Sequence, residues 1–178
     1  MKRHMCPLVI LLFAALFLSA CSSKDSDAVL WYQEGPAEIC GTLQGESGTY
    51  TITLSLERRK TDGTRDVTLT YQEPEELAGM VFRLRGEEIF AVYDTVEIPL
   101  STDAAGKLFA PADLFSLREE DITEIQKGEA GETIIRLVRG QDHWEVSTDA
   151  EGLPTSITAT AGGRDLSLTV TSFVQTDA

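Results

Sequence analysis

Strict alternation of apolar and polar side chains is the feature that most constrains the fold of this chain. Between Gly48 and Glu57 every second side chain is apolar, and the apolar ones are Tyr50, Ile52, Leu54 and Leu56. Successive side chains of a β-strand point to opposite faces, so a period of two predicts a strand with one buried and one solvated face. The segment therefore favours a sheet that covers an apolar core.

The same period recurs on both sides of that segment. A strand is predicted from Pro36 to Leu43, with Cys40 on the face away from the core. The Asp62-Gly63 dipeptide predicts a tight hairpin, because Gly accepts positive φ without a Cβ clash. The later apolar sets predicted to face inward are Val67, Leu69 and Tyr71, then Met80, Phe82 and Leu84, then Ile89, Ala91 and Tyr93. Together these segments predict a β-meander.

The second half of the chain adds one predicted helix and further strands. Pro111 suits a first helical turn, and the helix is expected to end near Glu119 and to pack across one face or mouth of the sheet. Its apolar stripe comprises Leu108, Phe109, Leu114, Phe115 and Leu117. Strands are predicted over 121–127, 133–139, 143–148, 155–161 and 165–174. The predicted class is mainly β: a strongly curved antiparallel sheet or half-open β-barrel of about ten strands with one short helix packed on it.

The N-terminal segment predicts secretion. Lys2 and Arg3 precede an apolar run over 7–18, which is shorter than the roughly twenty residues that span a bilayer. The run ends in Leu18-Ser19-Ala20-Cys21, which resembles the lipobox of bacterial lipoproteins at every position. The resemblance implies cleavage after Ala20, a diacylglyceryl group on Cys21 and further acylation with chains such as palmitate. Two or more chains anchor a protein stably. The expected location is extracytoplasmic, with the protein held to a bacterial membrane by lipid.

The expected organisation is a signal peptide at 1–20, the lipidated Cys21 with a flexible tether at 21–28, and one domain at 29–178. Loss of Lys2 and Arg3 would lower the 15 basic residues to 13 against 29 acidic ones, and the net charge would fall from −14 to −16. Such a surface repels nucleic acid, so no nucleic-acid partner is expected. Cys40 would be the only cysteine left besides Cys21, and it is interpreted as a packed residue rather than a nucleophile.

The sequence offers no convincing catalytic site. Asp142-His143 could be part of a Ser-His-Asp triad, but no Gly-x-Ser-x-Gly motif accompanies it. A metal site is not indicated, since His143 would be the sole histidine of the processed chain. The prediction is a protein that is not an enzyme, with neither a metal nor another cofactor.

The order of features resembles the superfamily of LolA-like and LolB-like lipoprotein carriers, in particular small bacterial lipoproteins with that layout. The resemblance covers most of 29–174. It is carried by the hairpin, by the Tyr71-x-x-Pro74-x-x-Leu77-x-Gly79 corner, by the helix and by Gly152-Leu153-Pro154. It implies a half-open β-barrel whose apolar cavity receives acyl chains.

Two functions follow. In the first, the concave face of the sheet binds or carries an acyl chain or another apolar ligand. The residues expected to line that face are Tyr50, Ile52, Leu54, Val67, Leu69, Met80, Phe82 and Leu84. In the second, a structural or interaction lipoprotein with a filled core presents its acidic surface to an envelope protein. An empty space of a few hundred Å³ would favour the first function.

Overall fold

The computed structural model describes residues 30–61, 64–86, 88–101, 114–115, 117–161 and 163–176. Within them a single antiparallel sheet has eleven strands. The strands are β1 (Ala37–Gly45), β2 (Gly48–Leu56), β3 (Val67–Glu73), β4 (Val81–Arg85), β5 (Glu88–Tyr93), β6 (Val96–Pro99), β7 (Ile122–Lys127), β8 (Thr133–Arg139), β9 (Asp142–Thr148), β10 (Pro154–Ala161) and β11 (Arg164–Gln175). Two short 3₁₀ helices lie at Trp31–Gln33 and Glu119–Asp121.

The strand order is β6-β5-β4-β3-β2-β1-β11-β10-β9-β8-β7. Two meanders, β1 to β6 and β7 to β11, are therefore joined where β1 pairs with β11. No pairing joins β6 to β7 in the described part of the chain, so the curved sheet is unclosed and these strands are its two edges. The predicted mainly-β class with a curved antiparallel sheet is confirmed.

One face of the sheet carries the core, because the period-two pattern places apolar residues of every inner strand on the same side. Ile39, Ile52 and Leu69 are fully buried in neighbouring strands of the first meander. Ile135, Val146 and Ile157 are their counterparts in the second. We call this the inner face. Cys40 lies on the opposite face as predicted, is half-buried, and has its Sγ 3.5 Å from Oγ1 of Thr53.

The connection between β6 and β7 starts at one edge of the sheet and ends at the other. Pro111 and most of the predicted helix lie outside the described residues, so the helix stays a prediction. Leu114, Phe115 and Leu117 are described, and all three are buried in the same cluster as the inner face. This part of the connection therefore packs on the inner face.

Several details differ from the sequence-based expectations. Strand β6 was not predicted, because it has only four residues and ends in Pro99. Asp62 and Gly63 lie outside the described residues, although the Lys60 amide donates to the Thr64 carbonyl across them at 2.7 Å. Met80 and Tyr93 were predicted to face inward, and both are exposed. They lie near one another, beside the Val81–Val92 pair of β4 and β5.

Among the residues that the structure describes, no helix has the length and apolar character needed to cross a membrane.

Candidate functional site

The eight residues predicted to line a ligand face share the inner face of β2, β3 and β4, but their exposure differs. The buried ones are Ile52, Leu54, Val67, Leu69 and Phe82. Tyr50 and Leu84 are half-buried and pack against the core, whereas Met80 is 41% exposed. The structure therefore brings the predicted residues onto one surface and closes the middle of that surface.

Elements outside the sheet contribute to the same buried cluster. Leu30 and Tyr32 come from the first 3₁₀ helix and the residue before it, and Phe115 and Leu117 come from the connection between the meanders. A row of edge-to-face aromatic rings also fills this region: the Tyr50 and Tyr71 centroids are 5.6 Å apart, and those of Tyr71 and Phe82 are 6.0 Å apart. Burial, and then the neighbouring Tyr50, raise the pKa of Tyr71.

Towards β6 the inner face opens to solvent. Directly opposite residues of an antiparallel pair lie on the same face. Leu69 is therefore followed by Phe82, Ala91 and Ile98 along one row. Exposure along this row rises from 0% at Leu69 to 50% at Ile98. The apolar face thus continues past the core to the edge of the sheet.

The neighbouring row opens in the same way. It contains Met80, whose carbonyl accepts from the Tyr71 amide at 3.0 Å, and ends with Tyr93 at 79% exposure and Val96 at 57%. We define the exposed end of both rows as the edge patch: Met80, Tyr93, Val96 and Ile98. Contiguous exposed apolar side chains of this kind mark interaction or ligand sites.

Polar contacts on the opposite face fix the direction of the β6 side chains. Glu97 accepts two hydrogen bonds from the Arg85 guanidinium, at 2.9 and 2.8 Å, and pairs with Arg83 as well. These partly exposed ion pairs contribute little stability individually. They do hold Glu97 outward, and the alternation of the strand then keeps Val96 and Ile98 on the inner face.

The sequence contained a signal for these two residues. Val96-Glu97-Ile98 alternates with period two, but it is too short to be distinguished from a loop without its pairing partner.

A groove of about 650 Å³ lies over the second meander and contains none of the eight predicted residues. Two cross-strand rows of side chains from the face opposite the core line it: Arg136, Glu145, Thr158 and Ser167, then Val138, His143, Thr160 and Asp165. Arg136 donates to Glu124 at 2.7 Å and to Glu145 at 2.9 Å, and these bonds raise its pKa. The lining also includes Leu137, Trp144, Ala159 and Leu166 from the core face, so the groove combines polar and apolar surface.

The residues considered for chemistry are placed as follows. His143 is exposed in β9 and lines the groove over the second meander, and Asp142 precedes it at the start of the strand. Within the described residues, no three His, Cys, Asp or Glu side chains come together in a way that could hold a metal ion. Cys21 lies outside the described residues.

These features define an unclosed, mainly-β protein with an apolar inner face that is buried in the middle and exposed at one edge. No protein-family model matches the sequence, and no curated protein matches it.

Solved structures are similar at low identity. An uncharacterized conserved protein from Thermus thermophilus has 16% identity over 85% of both chains, with a TM-score of 0.45. A LolA superfamily protein from Nitrosomonas europaea has 11% identity over 86% of this chain and 94% of its own, with a TM-score of 0.44. The lipoprotein LppX from Mycobacterium tuberculosis has 9% identity over 84% of this chain and 93% of its own, with a TM-score of 0.42. The similar structures thus include the superfamily that the sequence resembles. At these identities and TM-scores, function follows only from this chain's own residues.

Proposed function

We propose that this chain is an extracytoplasmic lipoprotein, anchored to a bacterial membrane through Cys21, that binds an acyl chain or another apolar ligand on the inner face of its sheet. The anchor rests on the match of Leu18-Ser19-Ala20-Cys21 to the lipobox pattern. The ligand class rests on the edge patch. The single observation that carries it is the continuation of the core face into exposed apolar side chains at β5 and β6.

Burial supports a narrower site than the one the sequence predicts. Leu54 and Leu69 are fully buried, so the middle of the predicted face has no free surface for a ligand. Met80 is the one predicted residue that is both on this face and exposed. A ligand would therefore lie along the Met80 end of the face, over β5 and β6, with the filled core beneath it.

The filled core also supports the second function, an interaction lipoprotein without a small ligand. Within the described strands, β6 has a sheet neighbour on one side only, namely β5. This edge position and the adjacent edge patch suit the addition of a strand from an envelope protein, since open sheet edges pair with extended segments.

Binding of palmitate or an apolar fluorescent dye tests the proposal. Ile98→Glu places a charge inside the edge patch and should weaken binding at least about tenfold, because apolar contact would have to bury that charge. Val174→Glu is the matched control. Val174 is also a half-exposed apolar residue (52%) in a strand, but its neighbour in β1 is Glu38, which lies on the opposite face.

The unmodified protein should bind, Ile98→Glu should bind weakly, and Val174→Glu should bind normally. Equal loss of ligand binding in both variants, or no binding by the unmodified protein, would reject the apolar-ligand site. The function as an interaction lipoprotein would then be favoured.

A further inference from the structure

A second cavity, of about 420 Å³, is formed by three segments that are far apart in the sequence. Gln33 comes from the first 3₁₀ helix, Arg59 from the connection between β2 and β3, and Leu117 from the segment before β7. Leu30 and Leu117 give it a partly apolar floor. None of the edge patch residues lines it, so this cavity is separate from the site proposed above.

Two of the lining side chains hold one another in place. The Arg59 Nη2 donates to Oε1 of Gln33 at 3.1 Å and to the Leu117 carbonyl at 3.3 Å. Gln33 is only 1% exposed. Its amide nitrogen, Nε2, and the Nε of Arg59 are both buried and make no hydrogen bond of good geometry, although the Gln33 side chain is close enough to the Tyr32 hydroxyl to act against the rise in its pKa.

A second arginine, Arg65, is half-buried and close enough to Arg59 to interact with its charge. All three guanidinium nitrogens of Arg65 are buried without a hydrogen-bond partner. Burial and then the charge of Arg59 lower the pKa of Arg65 to about 10, with Glu34 acting in the opposite direction. Arg65 is thus charged at neutral pH, and its charge interacts with two residues that line the cavity.

Every one of these unpartnered atoms is a donor. A buried polar group without a partner costs about 1–3 kcal/mol, and more when it is charged, so such clusters are normally satisfied by water, an ion or a ligand. Guanidinium groups match the two oxygens of a carboxylate with parallel hydrogen bonds. We propose that this cavity binds a carboxylate group, held by Gln33 and Arg59 and favoured by the charge of Arg65.

The charges at the rim favour a singly charged ligand. Glu34 and Glu120 are exposed, and Glu119 is half-buried. Arg118 is paired with Glu120 at 3.2 Å, so it adds little positive charge to the rim. Glu34, Arg118, Glu119 and Glu120 together give the rim a net negative charge, which repels a dianionic phosphate more strongly than a monoanion. The carboxylate can belong to a small acid or to an acyl chain whose first carbons contact Leu30 and Leu117.

Thermal unfolding of the purified protein in sodium acetate, sodium hexanoate or sodium phosphate, each against sodium chloride of equal ionic strength, tests the site. A ligand that binds only the folded state raises Tm with its concentration. Gln33→Glu supplies a carboxylate of nearly the same shape from within the chain, and Arg65→Met removes donors that have no partner to lose. Gln126→Glu is the matched control, because it makes the same change at an exposed position of β7.

The Tm of the unmodified protein should rise saturably with acetate. The apparent affinity should fall at least tenfold in Gln33→Glu and Arg65→Met and stay unchanged in Gln126→Glu. Tighter binding of hexanoate than acetate would identify an acyl chain as the source of the carboxylate, and equal binding would identify a small acid.

Equal Tm shifts in all variants, or tighter binding of phosphate than of acetate, would overturn the proposal. Calorimetric titration of the unmodified protein with acetate does not depend on either variant folding, and the absence of saturable heat would also overturn it. Ile98→Glu should leave the acetate response unchanged. The experiments can therefore reject the carboxylate site and the apolar ligand site independently of one another.

Discussion

Gly41 of β1 lies so close to Thr169 of β11 that a Cβ atom on Gly41 would be 2.5 Å from the Thr169 carbonyl oxygen. This approach lies where the two meanders meet, next to a shift in the β1–β11 register between Cys40 and Gly41. The obstacle is backbone rather than the end of a flexible side chain. Close packing of β1 on β11 therefore requires glycine at this position.

Gly41→Ala should consequently destabilise the protein by at least about 2 kcal/mol, because the two strands must separate to accept the methyl group. Gly45→Ala in the same strand is the control. A Cβ there would meet only the Leu166 Cδ2 at 3.3 Å, so its cost should stay within about 1 kcal/mol. Urea denaturation of both variants checks the prediction, and equal stabilities would contradict it.

Leu54→Trp tests whether the middle of the inner face is filled. Leu54 is fully buried, so the larger ring should overpack the core and cost about 1–3 kcal/mol. Leu84→Trp, on the same face but half-buried, should cost less. Denaturant titration beside a dye-binding assay measures both effects. Unchanged stability together with lost binding would show instead the deep ligand cavity that the sequence predicted.

Cys21→Ser tests the anchor. The variant should keep its signal peptide and carry no lipid, because the lipobox thiol is the group that would be acylated. Deletion of 1–21 should give a soluble folded domain. Mass spectrometry of membrane fractions from the native host checks this prediction, and an unmodified chain lacking lipid there would rule out the lipoprotein interpretation.

Tyr32→Phe tests a buried hydroxyl. The Tyr32 side chain is fully buried, and its hydroxyl makes no hydrogen bond of good geometry, the Gln33 side chain being the polar group that acts on it. Near neutral pH, the free energy of unfolding of the Tyr32→Phe variant should therefore equal that of the unmodified protein or exceed it by up to about 1 kcal/mol.

The same variant should change the pH dependence of stability. Burial raises the pKa of Tyr32 above the 10.0 of an unfolded chain, although the Gln33 side chain acts in the opposite direction. The unfolded state then loses its proton first, so the native protein loses stability as pH rises above 10, whereas Tyr32→Phe lacks this loss. Unfolding measured near pH 8 and near pH 11 checks the sign, with Tyr93→Phe as the control for removing an exposed hydroxyl. A parallel fall in both proteins would contradict the prediction.

Local pattern was sufficient to predict most strands and their buried faces. Ile52, Leu54 and Leu69 are buried as the period of two predicts, because side-chain direction in a strand depends only on position along it. Strand β6 was not predicted, because its four residues, which end in Pro99, are recognisable as a strand only from their pairing with β5. The exposure of Met80 was not predicted either. The alternating pattern indicates which face of the sheet a side chain lies on, but not how far that side chain is from the corner of the sheet.

The sequence by itself determined the mainly-β class, the inner face and the prediction of a lipid anchor at Cys21, since each depends on neighbouring residues. The tertiary structure alone decided that β1 pairs with β11, that the core is filled beneath Met80, and that Gln33, Arg59 and Leu117 come together. These relationships join positions far apart in the chain, and they follow from strand order and from which segments cover the inner face. The local periodicity of the sequence depends neither on strand order nor on which segments cover the inner face.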